Sequence, residues 1–189
     1  MLEQTFGEQK MVNSNKYEEN QKKNRRMTTS LQVRSYKDED LEQVMTVANR
    51  AFRKIRTESR AALGDLISDL LRPAGDDVSK GLEVKNFVSQ HPENCLVCEA
   101  GGKIVGFATF LLGSNRIGTI CNNGADPEAH VRGVGRTLYR EILRIFREKR
   151  MMAACVTTGL GDEFAPARRA YEKAGFDRSM SSIQYYMEL

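Results

Sequence analysis

Apolar and polar positions alternate over Leu31-Gln32-Val33-Arg34-Ser35-Tyr36, the period-two pattern of a strand. The period then changes. Leu41, Val44, Met45, Ala48, Ala51, Phe52 and Ile55 recur at helical spacing behind Asp38, Glu39 and Asp40, which supply a cap and negative charge for a helix start. A second helix is predicted over about Glu58 to Leu71, with Leu63, Leu66, Ile67, Leu70 and Leu71 inward and a stop at Arg72-Pro73. A third covers about Val78 to Gln90, before Pro92. Two β-like runs, Cys95 to Ala100 and Lys103 to Leu112, flank Gly101-Gly102, a two-residue hairpin signal. Arg116 to Ala125 is the next strand. Its end, Asn122-Asn123-Gly124-Ala125, is poor in β formers and is expected to bulge and open the sheet.

Beyond it, Leu138, Ile142, Ile145 and Phe146 mark a helix, with Arg140, Glu141, Arg144, Arg147 and Glu148 mostly on the other side. Met151 to Thr158 reads as a buried strand, parallel to the preceding one by a right-handed crossover. A short helix opens near Pro166 and ends at Ala174-Gly175, with Gly175 as a left-handed cap. Phe176 begins the last β segment, where Ile183, Tyr185 and Met187 alternate with Gln184, Tyr186 and Glu188. Residues 1–29 are polar and irregular and read as a disordered or loosely docked tail, leaving residues 30–189 as one domain.

Composition adds bounds rather than a function. A chain of 189 residues with 40% hydrophobic and 29% charged positions suits one soluble domain. No apolar run approaches a membrane span, and no apolar leader stands at the N-terminus, so a cytoplasmic protein is expected. The net charge of +4 is compatible with an anionic cofactor. Cys95 and Cys98 form a Cys-x-x-Cys, but side chains three apart on a strand point to opposite faces. They read as buried free thiols, and no metal site is expected. Glu58, Asp65, Asp69, Asp76, Asp77 and Glu83 read as a solvated helix face, against the alternative of an acidic surface for an amine.

Candidate chemistry centres on Asp126-Pro127-Glu128-Ala129-His130-Val131-Arg132-Gly133-Val134-Gly135-Arg136-Thr137-Leu138. Gly133 and Gly135 lie between a strand and a helix, where the backbone turns sharply and approaches a ligand closely. A helix start offers unpaired N–H groups and a positive dipole end, which suits a phosphate, and Arg132 and Arg136 add charge there. A dinucleotide fingerprint needs a third glycine where Leu138 stands. A P-loop needs glycine at His130 and lysine at Arg136. The stretch instead resembles the pyrophosphate loop of the GNAT superfamily, the acetyl-CoA-dependent N-acetyltransferases, with pattern Gln/Arg-x-x-Gly-x-Gly/Ala. His130 departs from the first position; Gly133 and Gly135 match.

A second stretch is similar to that superfamily's Asn-x-x-Ala-x-x-x-Tyr-Glu-x-x-Gly-Phe motif. Ala167, Tyr171, Glu172, Gly175 and Phe176 match, and Phe164 stands at the asparagine position. The resemblance covers about Leu31 to Leu189 through element order and both motifs. It implies an α/β (α+β) class with the acyl-CoA N-acyltransferase (GNAT-like) fold: a mixed, mostly antiparallel sheet splayed at its central parallel pair and flanked by helices.

The resemblance also implies a site and an activity. Acetyl-CoA is the expected cosubstrate, with its pyrophosphate at the N–H groups of Val131 to Thr137 and its pantetheine along Asn123 to Ala125. His130, Arg132, Val134, Ala167, Tyr171 and Lys173 complete the implied cofactor set. A backbone N–H at Gly124 or Ala125 polarises the thioester carbonyl, Gly124 clears room for the thioester, and Tyr171 protonates the sulfur. No carboxylate stands on the central strand, where Thr119, Cys121 and Asn122 lie. His130, Asp162 and Glu163, a water chain, or an amine arriving neutral are the options for the base. The expected function is acetyl transfer to a primary amine: a small molecule, a lysine or a protein N-terminus. The partners are acetyl-CoA and that amine, and a homodimer is compatible. A catalytically silent acyl-CoA sensor is one alternative. Nucleic-acid binding through Arg132, Arg136, Arg140, Arg144 and Arg147 is another, opposed by Glu141 and Glu148 on the same helix.

Overall fold

A computed structural model describes residues 30–189; the tail assigned to residues 1–29 lies outside them. Five strands form one sheet in the order β1-β2-β3-β4-β5. They are β1 (Gln32–Ser35), β2 (Cys95–Ala100), β3 (Lys103–Leu112), β4 (Ile117–Ala125) and β5 (Ala153–Val156). The first four run antiparallel, and β5 joins β4 in parallel. Helices α1 (Leu41–Leu71), α2 (Asp76–Gln90), α3 (Val134–Glu148) and α4 (Ala165–Ala174) flank the sheet. The architecture is the mixed sheet expected from the sequence. No helix among the described residues is long and apolar enough to cross a membrane.

Strand alternation divides the interior into two cores. Cys95, Val97, Ile104 and Phe107 face Val44, Val47 and Ala48 of α1 and Val84 and Val88 of α2. Leu96, Cys98, Val105, Ala108, Phe110 and Ile120 face Leu138, Tyr139, Ile142 and Phe146 of α3 and Tyr171 of α4. Cys95 and Cys98 therefore lie in different cores as free thiols. Burial pushes Cys95 up to about 12 and Cys98 up to about 11.

The bulge falls where β formers run out. Ala108 pairs with Asn123 and Phe110 with Ile120, so Cys121 and Asn122 oppose Thr109 alone. The fully buried Thr109 hydroxyl accepts from the Asn122 N–H at 2.9 Å and donates to the Asn122 carbonyl at 3.2 Å. Pairing between β4 and β5 ends at Ile120 and Val156, and β4 continues to Ala125 paired with β3 only.

Three expectations are corrected. The first two predicted helices merge, and the break falls at Gly64 (φ 77°, ψ 171°) rather than between Ile55 and Glu58. No breaker stands before Gly64, and glycine adopts that backbone without steric cost. Beyond the break, Leu66, Leu70 and Leu71 are exposed and Ser68 is buried instead. Ion pairs fix this corner: the Arg60 guanidinium reaches Asp65, Asp69 and Asp76 at 2.6–2.8 Å, and Arg72 also pairs with Asp76. Finally, no strand follows α4. Gly175 caps it at φ 105°, and Ile183, Tyr185 and Met187 stay exposed on irregular chain. Alternation needs a ladder partner to become a strand, and this segment has none.

The start of α1 is tied to β1 and β2 by charge. Arg34 donates to buried Asp40 at 2.6 and 2.8 Å and to Glu99 at 2.5 and 2.8 Å, and Asp40 also accepts the Lys37 N–H at 2.8 Å. Hydrogen bonding from Arg34 holds the Asp40 carboxyl below the usual carboxylate range. A depressed folded value means stability that is full above the unfolded value, about 3.9, and is lost as pH falls through the folded one. Asp40→Asn is predicted to lower unfolding free energy at pH 7 by about 2 kcal/mol and to flatten the acid limb of stability. Denaturant titrations across pH check this, and an unchanged midpoint at pH 7 contradicts it.

Candidate functional site

The glycine stretch is a built turn. Asp126 accepts the Glu128 N–H at 3.0 Å, capping the single turn Pro127–Ala129. Arg50 of α1 donates to Asp126 at 3.0 Å and lies 3.2 Å from Glu128, fixing this turn to α1. His130 (φ 51°) and Gly133 (φ 87°) then reverse the chain into α3. The His130 ring is exposed and makes no hydrogen bond to another described residue, so neither loop bonding nor a base role gains a contact. The amides of Val134, Gly135 and Arg136 open the helix and donate to no acceptor among the described residues. Thr137 differs from expectation: its N–H and its hydroxyl both donate to the Gly133 carbonyl, at 2.9 and 3.0 Å. Its amide is spent inside the helix. Arg132 and Arg136 stand exposed at this helix start.

Past Ile120 the β5 side of β4 has no ladder partner among the described residues, a gap in the pairing of the sheet. Asp126 donates to Val105 across the β3 side at 2.9 Å, and Gly124 pairs with Phe107. Alternation along an antiparallel ladder then turns the amides of Asn123 and Ala125 toward the gap and that of Gly124 toward β3. Of the two backbone donors expected for a carbonyl, Ala125 points the right way. Gly124 is glycine for another reason. A Cβ there would stand 2.9 Å from the Ala51 Cβ and 3.2 Å from Phe107, so the missing side chain admits α1 rather than a ligand.

Asn123 links strand and helices. Its Oδ1 accepts from the Tyr139 hydroxyl at 2.8 Å and from the Tyr171 hydroxyl at 3.1 Å. The two rings pack with centroids 5.1 Å apart, and Tyr171 meets Phe176 edge-on at 6.0 Å. Both tyrosines are buried, and burial, then the neighbouring Tyr171, raises the Tyr139 hydroxyl well above its ordinary value. Sequence reading missed Tyr139. Its trace there is an aromatic one turn after Gly135, whose Cβ would lie 3.4 Å from that ring.

Other expected residues are dispersed. Ala167 packs partly buried against the α3-side core, and Lys173 is exposed on the last turn of α4. Phe164 packs on Gly159, while Arg168 donates to the carbonyls of Gly159 and Gly161 at 2.7 and 2.8 Å, bracing the loop that carries Asp162 and Glu163. On the α1/α2 side, the expected acidic face is largely neutralised. Asp65, Asp69 and Asp76 pair with arginines, and Glu83 holds the Lys80 ammonium at 2.9 Å and lies 3.6 Å from Arg56. Lys80 also donates to Asn122 in the bulge at 2.6 Å. On α3, Arg144 is committed to Glu141 and Glu148. No cluster of three or more metal-ligating side chains occurs among the described residues.

The family model described as acetyltransferase (GNAT) family matches residues 60–176. No curated protein matches the sequence. Among solved structures, the chain is similar to PaiA N-acetyltransferase from Thermoplasma acidophilum in complex with coenzyme A. The identity is 19% and the TM-score 0.60, over 81% of this chain and 93% of that one. It is also similar to the ribosomal-protein-S18-alanine N-acetyltransferase from Escherichia coli, at 18% identity and TM-score 0.55 over 80% of each chain. A third is a GNAT family acetyltransferase from Brucella melitensis in complex with acetyl-CoA, at 19% identity and TM-score 0.53, covering 79% of this chain and 84% of that one. At these identities the likeness is one of fold.

The close approach at Gly124 yields a paired test. Gly124→Ala is predicted to destabilise by about 1–3 kcal/mol through overpacking, and adding Ala51→Gly is predicted to recover part of that loss. Chemical denaturation of the four proteins of the cycle checks this. Strict additivity of the two changes contradicts it.

Proposed function

We propose that this chain, which belongs to the acetyltransferase (GNAT) family, transfers an acetyl group from acetyl-CoA to a primary amine by direct attack. One juxtaposition carries the reading. Three amides without an acceptor among the described residues, Val134 to Arg136, open α3 beside a gap into which Asn123 and Ala125 turn their own amides. The first set suits a diphosphate, with Arg132 and Arg136 supplying charge. The second suits an extended amide chain laid along a strand edge. Together they fit the diphosphate and the pantetheine arm of coenzyme A, which in the cosubstrate ends in the thioester.

The residues then divide the work. The Ala125 N–H polarises the thioester carbonyl. Tyr171 gives its proton to the departing sulfur, a hydroxyl that donates to Asn123 at 3.1 Å in the free chain. Tyr139, whose hydroxyl burial raises above the ordinary phenol range, keeps Asn123 oriented at 2.8 Å. With Thr119, Cys121 and Asn122 on β4, no strand carboxylate takes the amine proton, so the amine arrives neutral or loses its proton to water. That same lack motivates the second reading, an acyl-CoA sensor without turnover. The acceptor is a small-molecule amine, a lysine or a protein N-terminus.

Calorimetric titration with acetyl-CoA, paired with thiol release over a panel of amines, tests the proposal. Binding with turnover of at least one amine is expected; binding without any turnover favours the sensor. Gly135→Asp is predicted to weaken acetyl-CoA binding at least tenfold by adding bulk and negative charge at the amides. An unchanged affinity moves the phosphate site elsewhere. Tyr171→Phe is predicted to lower kcat about a hundredfold with cofactor affinity nearly unchanged. Undiminished turnover removes Tyr171 as the acid.

A further inference from the structure

Lys80 is a buried cation in a setting its own helix does not require. It is 7% exposed. Its ammonium lies 2.9 Å from each Glu83 oxygen, 2.6 Å from Asn122 Oδ1 and 4.4 Å from the centroid of Phe52. A carboxylate, an amide oxygen and an aromatic face are three groups that together recognise a primary ammonium. They come from three elements, α2, β4 and α1. The β4 contributor, Asn122, belongs to the bulge and directly precedes Asn123, which receives the Tyr171 hydroxyl. A primary amine is thus held against the bulge of β4 from the α1/α2 face, opposite the face from which Tyr171 reaches Asn123.

We propose that Lys80 is itself an acetyl acceptor, modified in cis from acetyl-CoA bound in the gap beyond Ile120. This rests on the acetyl-CoA reading given above. Burial, the foremost influence, loosens the hold of Lys80 on its proton and Arg56 acts in the same direction, while the Glu83 carboxylate opposes them. Glu83 is half-exposed and passes that proton to water. The neutral Nζ then attacks the thioester carbonyl carbon. The C–N bond forms and the C–S bond breaks; the electron pair leaves on sulfur, which takes a proton from Tyr171, while the nitrogen sheds its second proton to water and Tyr171 regains one from solvent. The products are acetyl-lysine and free CoA. Holding nucleophile and acyl group in one molecule supplies the effective concentration that an exposed lysine lacks. The neutral amide formed no longer pairs with Glu83, which releases a carboxylate at the same place.

The test incubates the full chain with acetyl-CoA alone, follows intact mass, maps the modified peptide and measures acetyl-CoA binding by calorimetry in parallel. One acetyl group at Lys80 is expected, forming at a rate per molecule that does not change on tenfold dilution. Lys80→Arg, which keeps the cation, is expected to bind acetyl-CoA and lose the label. Intact binding with no acetyl at Lys80 overturns this proposal alone. So does label spread evenly over exposed lysines such as Lys37, Lys103 and Lys149. Absence of acetyl-CoA binding overturns it together with the function on which it rests.

Discussion

One buried hydroxyl sets the geometry of the site. Thr109 pairs with both backbone groups of Asn122, and this absorbs the extra residue that β4 carries against β3. A bulge increases twist and redirects a strand. Here it falls where β4 leaves its parallel neighbour, so the last part of β4 keeps its β3 ladder and loses its β5 one. Backbone groups freed in this way need partners, and in an otherwise paired sheet they mark a place for an extended ligand. Nothing catalytic is asked of Thr109. It sets which residues of β4 remain unpaired.

The rest of the site is hung on that opening. Arg50 ties α1 to the turn after β4, and Ala51 packs where Gly124 lacks a side chain, so α1 lies against the strand end from one face. Tyr139 and Tyr171 reach the same strand from the other face through Asn123. α3 begins a few residues further on, behind a left-handed Gly133, with its first amides unpaired among the described residues. A strand end gripped from both faces and followed by an open helix start is a rigid frame. Groups that act on a thioester need such a frame more than they need flexibility.

Much of this was legible because its causes are local. The hairpin at Gly101-Gly102, the weak β character of Asn122 to Ala125, the turn at Gly133 and the cap at Gly175 are short-range choices of backbone, and each appears where the sequence places it, whereas Gly135 lies inside α3 rather than in the turn. The failures share a different cause. Leu66, Leu70 and Leu71 look like an inward stripe, but the arginine–carboxylate cluster around Asp76 decides how that segment sits. Ile183, Tyr185 and Met187 alternate like a strand, but strand formation depends on a partner edge. Tyr139 and Lys80 gain meaning only through Asn123 and Asn122, residues distant in sequence that no periodicity brings together. At Gly124 the close approach that the sequence implies is met by Ala51 of α1 and by Phe107, contacts made across elements that no local pattern reveals.

The central claim is that acetyl-CoA bridges the start of α3 and the parted end of β4. Amide NMR of the uniformly labelled chain, titrated with acetyl-CoA, reads both places at once. The account predicts that the largest shifts fall on Val134, Gly135 and Arg136 and on Asn123 and Ala125, while Thr137 and Gly124, whose amides are already engaged, move less. Saturable binding whose shifts cluster elsewhere, with those five amides unmoved, would contradict it.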